Sequence, residues 1–161
     1  MDERLLLEIL QKDARISEKD LAKMLRSSES EVKKKIDELK KRGIIKAFRA
    51  YIDWEKRGED YITAYIEVKV TPQARTGFSE FGEMLAANPK VEEVCVTSGE
   101  YDFTIKITAK DIRDVSNFVT ETLAPKKEVT GTMTHFVMKK FKENGVVLTD
   151  AAKAKKLVIS A

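Results

Sequence analysis

The spacing of apolar residues changes period once along the chain, close to Tyr61. Ahead of that point it is helical. Leu5, Leu6, Ile9 and Leu10 form one stripe that fades into the polar QKDAR, Leu21, Ala22 and Leu25 form a second, and Val32, Ile36 and Leu39 form a third. Caps punctuate the breaks. Ser17 with Asp20 is a capping-box-like pair flanked by Ile16 and Leu21 as a hydrophobic staple, which predicts a short helix starting at Ser17. Ser28 with Glu31 opens the third helix and Gly43 ends it. The intervening LRSSES holds no glycine, so Arg26 or Ser27 must make the turn without one. After Gly43, IIKAFRAYI alternates like a strand and predicts a wing.

Beyond Tyr61 the order is strand, helix, strand, strand, helix, strand. YITAYIEVKV alternates Ala64, Ile66, Val68 and Val70 inward against Tyr65, Glu67 and Lys69. A helix follows with Phe78, Phe81, Met84 and Leu85 on its inner face, closed by Asn88 and Pro89. VCVTSGEYDFTIKI reads as two strands around a turn, and DIRDVSNFVTETLAP as a helix with Ile112, Val115, Val119 and Leu123 inward. VTGTMTHFVMKKF is the last strand. This order is the split βαβ, ferredoxin-like arrangement, in which two helices cover one face of a four-stranded antiparallel sheet. The other face is expected to be open and apolar, and hence a dimer interface. The fold class is α+β, a winged helix-turn-helix at 1–50, a connecting strand or linker at 51–61 and a ferredoxin-like βαββαβ domain at 62–142. Residues 143–161 are expected to add a strand pair, turning at Asn144 and Gly145 and returning through Leu157, Val158 and Ile159.

Charge sharpens this division. The chain of 161 residues has a formal net charge of +3, too weak to declare a nucleic-acid binder. Residues 1–50, however, hold 14 Lys and Arg against 10 Asp and Glu, while residues 51–161 hold 16 against 17. The basicity sits in the N-terminal third. Cys95 is the single cysteine, which excludes an intramolecular disulfide or a multi-thiolate zinc cage and fits a reducing cytoplasm. No apolar run approaches a membrane span, and the acidic start MDERLLLEIL does not fit a signal peptide. No membrane partner and no cofactor are expected.

Two helices joined by a short turn, the second longer and basic outside, form a helix-turn-helix pattern. The inner stripe of the third helix turns Ser30, Lys34, Asp37 and Lys41 to the opposite side, with Lys33 on the flank. Such a helix fits the major groove of double-stranded DNA, with Ser28 and Ser30 near its start placed for base edges. Lys33, Lys34, Lys41, Lys46 and Arg49 are placed for phosphates. The same lysines also suit an ordinary solvated face, which Glu29, Asp37 and Glu38 dilute.

The turn TSGEYD is the second candidate site. Glycine lets backbone approach a ligand and expose its amide, while a carboxylate accepts from an ammonium group, so Ser98, Gly99, Glu100, Tyr101 and Asp102 could hold an amino acid. Thr132 and Thr134 on the last strand are candidates for the same pocket. An alternative reading is purely structural: Gly99 supplies a positive φ, Asp102 caps the turn, Tyr101 packs against a neighbour and threonines favour strands.

LLLEILQKDARISEKDLAKML, IDELKKRGIIKAF and VTSGEYDFTIKI together resemble the Lrp/AsnC family of bacterial and archaeal transcription regulators, from Asp2 to about Lys142. The resemblance implies that the Gly-acid-aromatic-Asp loop, here Gly99 to Asp102, borders a subunit-interface pocket for amino acids or related metabolites. It implies a homodimer and higher homo-oligomers whose DNA binding the small-molecule effector modulates. An enzyme is not expected, because His135 is the single histidine and Cys95 the single thiol, which rules out a Cys–His site without further groups. The remaining alternative is an effector-sensing module acting through protein contacts, with a vestigial DNA-binding head.

Overall fold

The computed structural model describes residues 1–71 and 77–149, which fall into two units dividing between Ile52 and Asp53. In the first unit, α1 (Glu3–Lys12), α2 (Glu18–Leu25) and α3 (Glu29–Lys41) enclose a core of Leu6, Leu10, Leu21, Ala22, Leu25, Val32 and Leu39. Ile36 of the predicted stripe packs at its edge. The caps form as the sequence predicts. The Ser17 side chain accepts from the Asp20 N–H, and Ser28 with Glu31 makes a complete capping box. Gly43, at φ +69°, lets the Ile44 N–H reach the Leu39 carbonyl and its own N–H reach Lys40, a Schellman closure of α3.

The turn without glycine is made by Arg26, at φ 50° and ψ 49°. The Ser27 N–H donates to the Ala22 carbonyl at 3.0 Å and closes the same motif at the end of α2.

The strand expected after Gly43 does not form among the described residues. Residues 46–53 carry no regular structure; Ile45 packs on the helical core while Ile44, Phe48, Tyr51 and Ile52 are exposed. Alternation alone does not make a strand, because a strand exists through a ladder of hydrogen bonds, and this stretch has no partner strand among the described residues. The connecting segment likewise contains a one-turn helix, α4 (Trp54–Arg57), where a strand or linker was expected. The Asp53 side chain caps the Lys56 N–H, Gly58 closes the turn at φ +84°, and Trp54 meets Tyr61 edge to face at 6.0 Å.

The second unit is the expected four-stranded antiparallel sheet, in the order β2-β3-β1-β4. Its strands are β1 (Ile62–Val70), β2 (Val91–Val96), β3 (Phe103–Ala109) and β4 (Val129–Phe136). Ala64, Ile66, Val68 and Val70 of β1 are buried under α5 (Ser79–Ala86) and α6 (Ile112–Phe118) with Phe81, Leu85, Phe103, Ile105, Ile107, Val115, Phe118 and Leu123. Gly82 of α5 lies so close to β3 that a Cβ there would meet the Phe103 ring at 3.3 Å. Phe103 is also held edge to face by Phe78 and Phe81, at 5.6 and 5.2 Å.

Three expectations change here. Ile112 is 58 % exposed, while Phe118, outside the predicted stripe, is 1 % exposed. Ile112 is the first residue after the Asp111 cap, and α6 runs on into a wide π turn, Val119–Leu123, closed by the Ala124 N–H on the Val119 carbonyl. The second sheet face is also polar, not apolar. Tyr65, Glu67 and Lys69 alternate with the buried residues of β1, and the register sets Lys106, Thr104, Met133 and His135 beside them.

Nor is that face fully open. A hairpin of β5 (Lys142–Glu143) and β6 (Val146–Val147), turning at Asn144 and Gly145, brings Glu143 onto the nearly buried Lys106, which Glu92 also holds at 3.2 Å. Burial acts to lower the Lys106 pKa, but Glu143 and Glu92 outweigh it and raise it. The hairpin therefore begins inside the span expected to end the domain at Lys142, and Leu157, Val158 and Ile159 of the expected return strand lie outside the described residues.

The α6 correction has a measurable consequence. Phe118→Ala is expected to destabilise the second unit by roughly 3–5 kcal/mol, while Ile112→Ala costs within about 0.5 kcal/mol. Urea denaturation of both variants checks this, and a larger loss for Ile112→Ala would show the inner face of α6 to be misassigned.

Candidate functional site

The buried Val32 and Leu39 set the rotation of α3, and its basic residues then divide by flank. On one side, Lys35 reaches Glu3 of α1 at 2.8 Å and Glu38 at 3.1 Å, while Arg42 reaches Glu38 at 2.9 Å and Glu3 at 3.4 Å. Hydrogen bonding to Lys35 lowers the Glu3 and Glu38 pKa values, with Arg42 contributing to both. These four groups clasp α3 to α1 and cancel one another's charge. Sequence spacing alone did not single them out, because Glu3 lies 39 positions from Arg42. The (i, i+3) and (i, i+4) placement of Lys35, Glu38 and Arg42 was the available signal.

On the outward side, Ser30, Lys33, Lys34 and Lys41 are all exposed, as are Lys46 and Arg49 after the helix. None of these five cations forms an ion pair among the described residues, whereas Lys35 and Arg42 do. Asp37 shares the outward face, but Glu38 is neutralised on the flank and Glu31 is drawn into the cap. The Ser28 N–H, the Ser27 hydroxyl and the Ser28 hydroxyl all donate to the Glu31 carboxylate, holding its pKa down to about 2. The Ser28 hydroxyl is thus engaged at the helix start, while Ser30 is free of such contacts. A helix presenting unpaired lysines around an exposed serine can meet phosphates with the former and a base edge with the latter.

The second site is built from the core outward. Phe103, held edge to face by Phe78 at the start of α5 and Phe81 within it, anchors the base of the loop at 97–102. Asp102 ties the loop to β1 on both its backbone and its side chain: its N–H donates to the Val68 carbonyl at 3.0 Å, and its carboxylate accepts from the Val70 N–H at 2.8 Å. The Thr97 N–H closes the loop on the Asp102 carbonyl at 2.9 Å. Gly99 adopts φ +151°, where a side chain would be strained. Tyr101 is half-buried; Ser98 and Glu100 are exposed, and the Glu100 carboxylate has no partner among the described residues. Asp102 therefore organises the loop, and Glu100 is its unengaged acceptor.

Thr132 pairs with Val68 and Thr134 with Ile66 across β1, so Thr132 shares the sheet end that carries the loop. One strand separates Asp102 from Thr132, a gap of about 10 Å. Thr132 is exposed and Thr134 half-buried because β4 is an edge strand. A cavity of about 210 Å³ opens at the same strand end, lined by Val70, Phe81, Met84, Lys126 and Glu128 among others, and none of the loop residues lines it.

Comparison with known proteins follows this two-part anatomy. Residues 3–46 match the model of a winged helix-turn-helix DNA-binding domain, and residues 63–147 match that of the Lrp/AsnC ligand-binding domain. The chain is 38 % identical over 156 residues to the uncharacterized HTH-type transcriptional regulator YugG of Bacillus subtilis, covering 96 % of this chain and 94 % of that one. It is 33 % identical over 138 residues to the HTH-type transcriptional regulator FL11 of Pyrococcus furiosus, covering 86 % and 88 %. The fold superposes on the transcriptional regulator NMB0573 of Neisseria meningitidis in complex with L-Met, with a TM-score of 0.70, 23 % identity and coverage of 89 % and 93 %. A DNA-binding head and a ligand-binding domain in one chain, matched across almost the full length of regulators and of no enzyme among these relatives, place the protein in the Lrp/AsnC family of transcription regulators.

Proposed function

We propose that this regulator binds specific DNA sequences through α3 and that a small effector, an amino acid, modulates both its DNA binding and its homo-oligomeric assembly in the cytoplasm. The observation that carries the DNA half is the divided charge of α3. Lys35 and Arg42 are compensated within the fold, while Lys33, Lys34, Lys41, Lys46 and Arg49 are left for an external polyanion. Ser30 stands among them as the base-reading candidate, with Ser28 fixing the helix start.

The effector half is supported by the loop at 98–102, which carries the exposed backbone of Gly99 and a Glu100 carboxylate without a partner among the described residues for the two ends of an amino acid. The L-Met complex of the structural relative supports the same ligand class. Association is supported by single apolar side chains left exposed among the polar residues of the second sheet face and on the hairpin segment: Tyr65 and Phe141 border one groove, and Met133, Met138, Val146 and Val147 are also exposed. In an oligomer several heads act together, so weak single contacts combine, and an effector that favours one assembly changes which sites are spanned.

Two sets of variants test the halves separately. Lys34→Ala is expected to weaken binding to specific and scrambled duplexes alike and to reduce the salt slope by about 0.9, while Ser30→Ala shifts sequence preference at unchanged slope. Anisotropy titrations over a salt series measure both, and a Lys34→Ala slope equal to that of the unaltered chain would count against the basic face. Glu100→Gln is expected to abolish the calorimetric response to an amino-acid mixture at unchanged thermal stability. Asp102→Ala should lower stability by about 1–2 kcal/mol through loss of the Val70 bond. A full response retained by Glu100→Gln would remove the loop from the effector site.

A further inference from the structure

Arg26 adopts the left-handed conformation, φ 50° and ψ 49°, at the turn between α2 and α3. A residue with a Cβ is disfavoured there, and glycine would complete the same hydrogen bonds without strain. Among the described non-glycine residues, Asn144 is the one other in this region, and asparagine tolerates it where arginine gains nothing locally. The Arg26 side chain is exposed and makes no ion pair or hydrogen bond among the described residues. Glu29, the nearest acid along the chain, makes no ion pair with it among the described residues, and the next, Glu31, is already held by Ser27 and Ser28. Strain maintained without a local reward points to a role outside the fold.

From these observations, and resting on the DNA-binding reading above, we infer that Arg26 is a phosphate-contacting residue that fixes the approach of α3 to the duplex. Its place in the chain fits the task. It lies two residues before the Ser28 cap, at the end of α3 from which Ser30, Lys33 and Lys34 project outward. A contact there brackets the helix: Arg26 meets the backbone beside the start of α3, and Lys41, Lys46 and Arg49 meet it beyond the other end. The left-handed turn thus directs a guanidinium, whose planar fork can hold a phosphate bidentately, instead of leaving a bare glycine.

Arg26→Gly separates this role from a structural one, because the two effects run in opposite directions. Thermal unfolding and anisotropy titrations of the full chain, with a duplex from upstream of its own gene and a scrambled duplex, are compared for Arg26, Arg26→Gly and Arg26→Lys. Arg26→Gly is expected to raise the melting temperature by relieving the strain, to weaken binding to both duplexes several-fold, and to reduce the salt slope by about 0.9. Arg26→Lys is expected to retain most of the slope without the gain in melting temperature. A more stable Arg26→Gly with unchanged affinity and slope would overturn the assignment while leaving the DNA-binding reading intact. Failure of the unaltered chain to bind either duplex would overturn both.

Discussion

Burial of Val32 and Leu39 fixes the rotation of α3 about its axis, and everything this head offers to DNA depends on that rotation. Once both side chains are in the core, geometry decides which neighbours face α1 and which face water. Lys35, Glu38 and Arg42 meet Glu3 and become internal charge pairs at a moderately exposed surface, where their main effect is on orientation and not on stability. Lys33, Lys34 and Lys41 turn outward and keep their charge. A helix of nearly balanced charge in composition thus becomes a two-sided element, with one flank holding it in place and the other available to a partner.

The same economy operates in the ligand-binding domain, where the loop at 97–102 is an outgrowth of the core. Phe103 is the junction: its ring is enclosed by Phe78, Phe81 and the close approach of Gly82, and its backbone begins β3. The residue before it, Asp102, binds the end of β1 through two hydrogen bonds. The loop base is held on the buried central strand while Ser98, Gly99 and Glu100 remain exposed. For the effector site proposed above, such a scaffold would lower the ordering cost of binding.

Local signals in the sequence were read well because the forces behind them are local. Caps at Ser17 and Ser28, the glycine stop at Gly43, and the alternation of β1 each involve residues within a few positions, and each is present in the fold. The need for Arg26 or Ser27 to turn without glycine was legible for the same reason. Misreadings occurred where pairing or packing across the fold decides. Residues 44–52 alternate yet lack a partner strand, Ile112 sits at a helix end beyond cover, and Phe118 enters the core as the helix gives way to a π turn. The polar character of the second sheet face was also hidden, since it depends on the register that sets Lys106 and His135 beside Tyr65. At the candidate sites the residue types and the Ser28 cap were legible, but the division of labour within the loop was not: Asp102, open between ligand and turn roles, braces β1, while Glu100 has no partner among the described residues.

The proposed function joins a sequence-reading, phosphate-gripping head to a ligand sensed elsewhere in the chain. The most direct measurement is a titration of the intact protein with DNA from upstream of its own gene against a scrambled duplex of equal composition, over a salt series, with and without a pooled amino-acid mixture. Preference for the natural duplex, affinity that falls steeply with salt, and a shift in that affinity when the pool is added are expected. Equal, salt-insensitive binding to both duplexes that the pool leaves unchanged would contradict the proposed function.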